Sequence, residues 1–514
     1  MADFIVLASR QRLFWLVAVC RFKDIQYRQN IKTAELLHFW AIEPQLLLLK
    51  FRKAKMFKQL YKLGFFAYVA LIILSIIFFK ERTIFTDIAF HLFDIITRGT
   101  FTIQTHRFGA VFTQLFPLVA SKLNLPLVGV MMAYSTGFII YYTICYVICG
   151  FVFKNYKLGL ALLLFNILFV SDTFFWMQSE LPQGVAFTIC LFAFMSNKRV
   201  EDLGAFGLAF SFFSIMTAVF FHSLMFLLLY YMVGFFLLSK ERSIEKKWLY
   251  VTLISSTLFF LLKKYVLIHS YEQGAMENTS NITELFPHYW NLYSNKRFLL
   301  NCTSKYYFLP LGLGAVMLVY LLKKEWKKLF FVFFSFTVYL LLINVCYKSE
   351  SVQNYYIENL YLPLGVIVGL PLVYDVFPLL EQRKIIAYCS LALIIVVGVV
   401  RIGSASNIFT KRLNWERQYL VEHSSEKLLV HESHLPADVL LLMWGTPYEF
   451  WLLSTVETGK TASICFYDNL QPVEWAIYDK RSFVTKWTVH PYDQLPGRYF
   501  KLTDTSTHYK MIPQ

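Results

Sequence analysis

The feature that most constrains this chain is a succession of apolar runs, each close to ~20 residues without a charge, with Lys and Arg gathered in the gaps between them. A run of that length crosses the ~30 Å hydrocarbon layer of a bilayer as a helix. In that layer every backbone amide must find its partner within its own segment. The predicted class is therefore an all-α polytopic membrane bundle. Composition agrees: 57% of the 514 residues are apolar and 16% charged, where a soluble domain carries about a quarter charged residues.

The formal net charge of +16 would suggest nucleic acid in a soluble protein. Here the basic residues form short clusters between apolar runs, as orientation signals do. No basic patch is interleaved with aromatics for base stacking, so no nucleic-acid partner is expected. Eight Cys are present without a CxxC pair, and they are expected as buried free thiols rather than zinc or redox sites.

Residues 1–55 form an N-terminal extension open to two readings. It is an interfacial amphipathic segment, or the natural start is Met56. The transmembrane domain is expected over 56–403. Spans fall at 63–79, 125–153, 158–171, 182–197, 248–268, 305–322, 329–345, 360–378 and 385–403. The stretch 203–238 is too long for one crossing and is split near His222. This gives about eleven spans with most basic clusters on one side, which defines the inside. The first outer loop is 80–124. Residues 404–514 have soluble composition and are expected as a small α/β domain on the extracytoplasmic face, with strands at Val439 to Trp444 and Ala462 to Tyr467 and a helix at Tyr448 to Val456.

P-loop, HExxH, GxSxG and dinucleotide motifs are absent. The informative segment is the first outer loop. Asp87, His91 and Asp94 recur at i, i+4 and i+7, one face of a helix. Ile88, Phe93 and Ile95 lie opposite, a face suited to lipid or to the bundle. A second amphipathic piece runs from Phe108 to Leu123. Asp87 is the candidate general base, since burial tunes a carboxylate for that task. Arg98, Arg107 and Lys348 are candidate ligands for a donor phosphate. His91, Asp94, His106, Asp172, Glu180 and His222 complete the substrate-binding candidates. The alternative for each is a solvated face, an interfacial belt or a helix cap.

With these residues in place, the chain resembles the GT-C superfamily of membrane glycosyltransferases, protein O-mannosyltransferases and lipid A aminoarabinose transferases in particular. The likeness rests on about eleven spans, a long first outer loop with an acid just after the first span (Asp87), surface helices in that loop, and a C-terminal soluble domain. Phe108-Gly109-Ala110 through Gln114-Leu115-Phe116-Pro117-Leu118 is similar to the segment entering their second surface helix. Asp172 and Glu180 fall where some members carry further acids. Many members carry paired acids where this chain has Asp87 followed by Ile88, so no obligatory metal or cofactor is expected. The resemblance implies sugar transfer from a polyprenyl-phosphate donor to a lipid, glycan or protein acceptor, outside, in a multi-pass protein of a bacterial inner membrane. A polysaccharide polymerase, a transporter or flippase of lipid-linked glycans, and a membrane scaffold are the competing classes.

Overall fold

The computed structural model describes residues 33–239, 243–267, 285–347, 354–423, 427–469, 471 and 474–512. The chain divides into two compact units, Met1–Phe57 and Lys58–Gln514. In the first, the backbone of residues 33–57 is helical; the side chains that would separate the two readings of residues 1–55 lie outside the described residues.

The second unit is mostly helical, and each range expected to span carries helix. Among the described residues, four helical stretches are long and apolar enough to cross a membrane: Lys55–Ile77, Leu127–Val152, Trp326–Cys346 and the 67-residue run Tyr356–Glu422. A fifth is added if Tyr293–Ser304 and Phe308–Leu322, bent by 86°, are taken together. Tyr156–Ile167, Ala205–Phe221 and Met225–Leu238 are apolar but shorter. The last two turn at His222, where the 203–238 stretch was divided.

Tyr156–Ile167 has 12 residues, about 18 Å of helix at 1.5 Å per residue, well short of a bilayer. It is held by protein on all sides: residues 158 to 168 are buried. Short helices are tolerated at membrane depth when neighbouring protein covers their ends. Its free carbonyls are met by Arg401, which donates to the carbonyl oxygens of Ile167 (2.6 Å), Val170 (3.0 Å) and Leu168 (3.3 Å). A cation at a helix C-terminus also complements the helix dipole. Gly365 and Gly369, one turn apart, let a second helix lie against it. A Cβ on Gly365 would stand 3.2 Å from the Phe169 ring, the close approach that small residues allow between apolar helices.

The first outer loop contains two helices. Thr86–Arg98 ends on Gly99, whose φ of 62° needs no Cβ and whose N–H caps the Ile95 carbonyl. The expected apolar side of this helix is not in lipid. Ile88, Phe93 and Ile95 are buried, and Phe93 makes edge-on contacts with Tyr448, Trp451 and Phe500 of the C-terminal region. Apolar patterning reports which face is covered, and the cover here is protein. Val111–Lys122 is the reverse case. Its inner face is polar, with Gln114 exchanging two 2.8 Å hydrogen bonds with the backbone of Thr102. Phe112, Leu115 and Val119 are exposed, an apolar stripe suited to a bilayer surface.

The C-terminal region carries a parallel three-stranded sheet in the order β2-β1-β5, formed by β1 (Lys427–His431), β2 (Ser463–Tyr467) and β5 (Lys510–Ile512). A hairpin of β3 (Ser482–Val484) and β4 (Val489–Pro491) adjoins it. The expected helix and second strand are present as Thr446–Thr458 and Ser463–Tyr467. The strand expected from Val439 to Trp444 is not. Ala437–Leu440 forms one helical turn that breaks at Leu441, with φ of 60°. A short buried apolar run has the same composition in either conformation.

Helix Thr446–Thr458 sits directly on helix Thr86–Arg98. At the junction a Cβ on Gly445 would overlap Thr86, reaching 2.9 Å from its Cγ2 and closer still to its Cα. The φ of Gly445 is −84°, so alanine brings no backbone strain and the effect of a substitution is purely steric. Gly445→Ala is expected to lower stability by about 1–3 kcal/mol, the usual cost of overpacking, as a fall in the midpoint of thermal unfolding in detergent. An unchanged midpoint would show that the two helices do not meet here.

Candidate active site

A cavity of about 850 Å³ lies among the first outer-loop helix, the loop leading to Glu180, the turn at His222 and the C-terminal region. Five of the residues singled out from the sequence line it: Asp87, His91, Arg107, Glu180 and His222.

Asp87 is held by Trp176, whose indole N–H donates to its Oδ2 at 3.1 Å. Burial pushes the Asp87 carboxyl up to about 7. The indole hydrogen bond and the Arg107 charge resist that shift, while the charge of Glu180 adds to it. A base poised near neutral pH is the condition for efficient proton transfer. Arg107 pairs with Glu180 at 3.1 Å, so a guanidinium and a second carboxylate flank the base. Gln178 stands beside Glu180 and accepts from the Tyr134 hydroxyl at 2.6 Å.

The two histidines of the cavity are neutral. Burial drives His91 down to about 4 against the pull of Glu180, and its Nδ1 has no hydrogen-bond partner among the described residues. Burial, followed by the charges of Arg107 and Lys263, lowers His222. His222 Nδ1 accepts the backbone N–H of Leu224 at 3.1 Å. In the neutral ring that assigns the proton to Nε2, which becomes a donor. The hydroxyls of Thr105 and Ser223, both on the cavity wall, are likewise buried without a partner among the described residues. Buried polar atoms are normally paired, so this group offers hydrogen bonds to whatever polar molecule occupies the cavity. Thr105 and His106 both have positive φ, 49° and 58°. That is an unusual conformation for a β-branched residue, held just before Arg107.

Trp176 is positioned from behind. Its backbone carbonyl accepts from Asn359 (3.3 Å), and its ring stacks on Tyr356 with centroids 4.9 Å apart. The preceding loop is pinned by Glu358, which accepts from the backbone N–H of Ser171 (2.8 Å) and Thr173 (3.0 Å) and from the Tyr306 hydroxyl (2.9 Å).

The remaining sequence candidates lie elsewhere. Asp172 is buried in an ion pair with Lys305 at 2.6 Å and holds the loop rather than lining the cavity. Asp94 and Arg98 pair with each other at 3.4 Å, one turn apart on their helix. His106 stands against the Phe108 ring and is outside the lining. Lys348 lies outside the described residues. Periodicity placed Asp94 on the Asp87 face, but after seven residues the helix has carried it beyond the cavity rim. Sequence reasoning passed over Trp176, Ser223, Trp444 and Trp487, all on the cavity wall. Nothing local marks these residues; Trp444, for one, closes the apolar run that begins at Val439.

A second cavity, of about 590 Å³, adjoins the first; Leu227 and Leu342 line both. Apart from Ser335 its wall is aromatic and aliphatic, including Tyr231, Phe331, Phe334 and Val338, with no charged side chain among the described residues. A cavity with charged side chains and an apolar one thus share a wall. Among the described residues no three His, Cys, Asp or Glu side chains converge to hold a metal ion.

A mostly helical architecture with four or five apolar helices long enough to cross a membrane marks a helical membrane protein. The chain matches no family model, no curated protein and no solved structure.

Proposed function

We propose that this chain is an integral membrane glycosyltransferase of GT-C type, moving a sugar from a polyprenyl-phosphate donor to an acceptor hydroxyl on the extracytoplasmic face. In this reading about eleven helices cross a bacterial inner membrane, the basic clusters lie inside, and the C-terminal region lies outside. The observation that carries it is the adjoining pair of cavities. A carboxylate poised at about 7 faces a cavity that also holds Arg107 and Glu180 and shares Leu227 and Leu342 with an apolar neighbour. A lipid-linked sugar has that shape: headgroup beside the charged side chains, isoprenoid chain in the apolar cavity.

Asp87 takes the proton of the acceptor hydroxyl as its oxygen bonds to the anomeric carbon. The bond from that carbon to the phosphate oxygen breaks, and the electron pair leaves on the lipid phosphate. Arg107 balances the phosphate charge. Trp176 orients Asp87, and the Nε2–H of His222 and the hydroxyls of Thr105 and Ser223 are available to the sugar. The alternative of a transporter for lipid-linked glycans uses the same chambers and needs no base.

The test is sugar transfer in proteoliposomes supplied with radiolabelled polyprenyl-phosphate sugars, followed across pH. Asp87 acts ionised and its carboxyl is raised, so the rate is expected to climb as pH rises and level off above about 7. At pH 5 only about 1% of the group is ionised, so the rate should fall about a hundredfold. A flat profile between pH 5 and 8 would remove Asp87 from the base role, and donor movement without transfer would favour the transporter.

A further inference from the structure

We infer that the C-terminal region supplies a saccharide-binding subsite at the cavity wall, with the indoles of Trp444 and Trp487 as its platform. The choice of a carbohydrate rests on the glycosyltransferase reading above; the platform itself rests on geometry.

The two rings stand 5.3 Å apart, tilted by 33°, and both line the cavity that holds Asp87. Phe90, one helical turn beyond Asp87, bridges the two sides, its ring 5.9 Å from Trp444. Trp487 is 52% exposed. An indole left this open gives up apolar burial, and it sits at the tip of the hairpin between β3 and β4 rather than on a membrane helix. Trp444 lies on the connection from β1 to helix Thr446–Thr458, beyond the carboxyl end of a strand in a parallel sheet. Ligands of such sheets bind at that end.

The cavity that holds the two indoles also carries polar groups suited to a sugar, among them Gln104, Gln178 and Glu180. Lys486, the neighbour of Trp487, bridges Glu432 (3.0 Å) and Asp468 (3.1 Å); these two follow β1 and β2. A pyranose has apolar C–H faces and a hydroxyl rim. The faces suit a flat indole, and the rim suits carboxylate and ammonium groups at its edge. Indoles also favour the lipid interface, but both indoles line a cavity that holds the charged side chains of Asp87, Arg107 and Glu180, which favours the sugar. The cavity would then hold the donor on the Arg107 side and the acceptor glycan on the Trp444 side, with Asp87 between them.

The experiment uses the full chain in nanodiscs and linear tetrasaccharides of glucose, mannose, galactose and N-acetylglucosamine, with binding followed by saturation-transfer NMR. At least one tetrasaccharide should bind, and Trp444→Ala and Trp487→Ala should each weaken it about tenfold or more. Asp87→Asn should leave that binding intact. Wild-type protein that binds none of the four, or tryptophan variants that bind as well as wild type, overturns the subsite. Quenching of Trp487 by brominated phosphatidylcholine in the nanodisc would also overturn it and assign the indoles to lipid. The two readings fail separately. Saccharide binding that needs Trp487, in a chain whose Asp87→Asn form still transfers sugar, keeps the subsite and removes the base. Transfer lost with Asp87→Asn but indifferent to both tryptophans does the reverse.

Discussion

With the chain acting as the proposed transferase, replacing Asp87 with Asn is expected to give a protein that folds and inserts normally and transfers sugar about 10²- to 10⁴-fold more slowly, the range that a positioned general base supplies. The carboxamide oxygen introduced by Asp87→Asn can still accept the Trp176 N–H, so the wall of the cavity keeps its shape. Only the capacity to take a proton is removed. Loss should therefore fall on kcat with donor affinity little changed, since Arg107 and the apolar chamber are untouched. The residual activity should also lose its rise between pH 5 and 7, because the titrating group is gone. Transfer at the wild-type rate in a well-expressed Asp87→Asn protein would exclude the base.

The same substitution makes a statement about stability. A carboxyl raised by burial binds its proton more tightly folded than unfolded. The folded state is favoured by that group below the unfolded pKa, and the advantage drains away as pH rises through about 7. An amide carries no such dependence. Asp87→Asn protein is thus expected to melt at the wild-type temperature or above it at pH 8, and the wild type should close the gap as the medium is acidified. A stable but inactive variant would separate catalysis from folding.

How much of this was legible in the sequence follows from what each signal measures. Charge-free length and basic clusters report the medium around a segment, and they located helices in each expected range. They also placed the turn at His222. They do not report whether a segment is surrounded by lipid or by protein, which is why Tyr156–Ile167 reads like any other apolar run although protein encloses it. The i, i+4, i+7 pattern put Asp87 and His91 on one face, and both line the cavity. It also enlisted Asp94, because periodicity has no knowledge of where a cavity ends. Asp172 looked like a site acid because Lys305, its partner, lies 133 residues away. Such a pairing exists only in the folded chain. The contributions of Trp444 and Trp487 were hidden for the same reason, since nothing local says that the C-terminal region folds back over the first outer loop.

A buried charge cluster joins the C-terminal region to the outer-loop helix alongside the aromatic contacts, and its disruption is expected to give a large loss of stability. Arg412 is 1% exposed and pairs with Glu416 (3.2 Å) and Glu449, both fully buried. Glu449 in turn accepts the backbone N–H of Thr86 at the start of the Asp87 helix. One guanidinium therefore serves two carboxylates and fixes the helix that carries the candidate base. Arg412→Met keeps volume and apolar contact with Phe85, over which the guanidinium lies at 5.0 Å. It leaves Glu449 without its counter-charge, beside Glu416, whose carboxyl is held well above the usual range by burial and by the Glu449 charge. Removing one partner of a buried ion pair costs about 3–5 kcal/mol, a large part of the ~5–15 kcal/mol that holds a typical domain folded. Hydrogen exchange should rise first along residues 86–98 and 446–458, while the enclosed helix Tyr156–Ile167 stays protected, and transfer should fall with the loss of Asp87 positioning. Neutralising the cluster in the triple variant Arg412→Met, Glu416→Gln, Glu449→Gln should recover part of the stability, since the uncompensated charge is then gone. It should recover little activity, because a neutral amide holds the Thr86 N–H less strongly than a carboxylate. An Arg412→Met protein with wild-type melting and wild-type exchange over residues 86–98 would show that the C-terminal region is held to the outer-loop helix by its aromatic contacts alone.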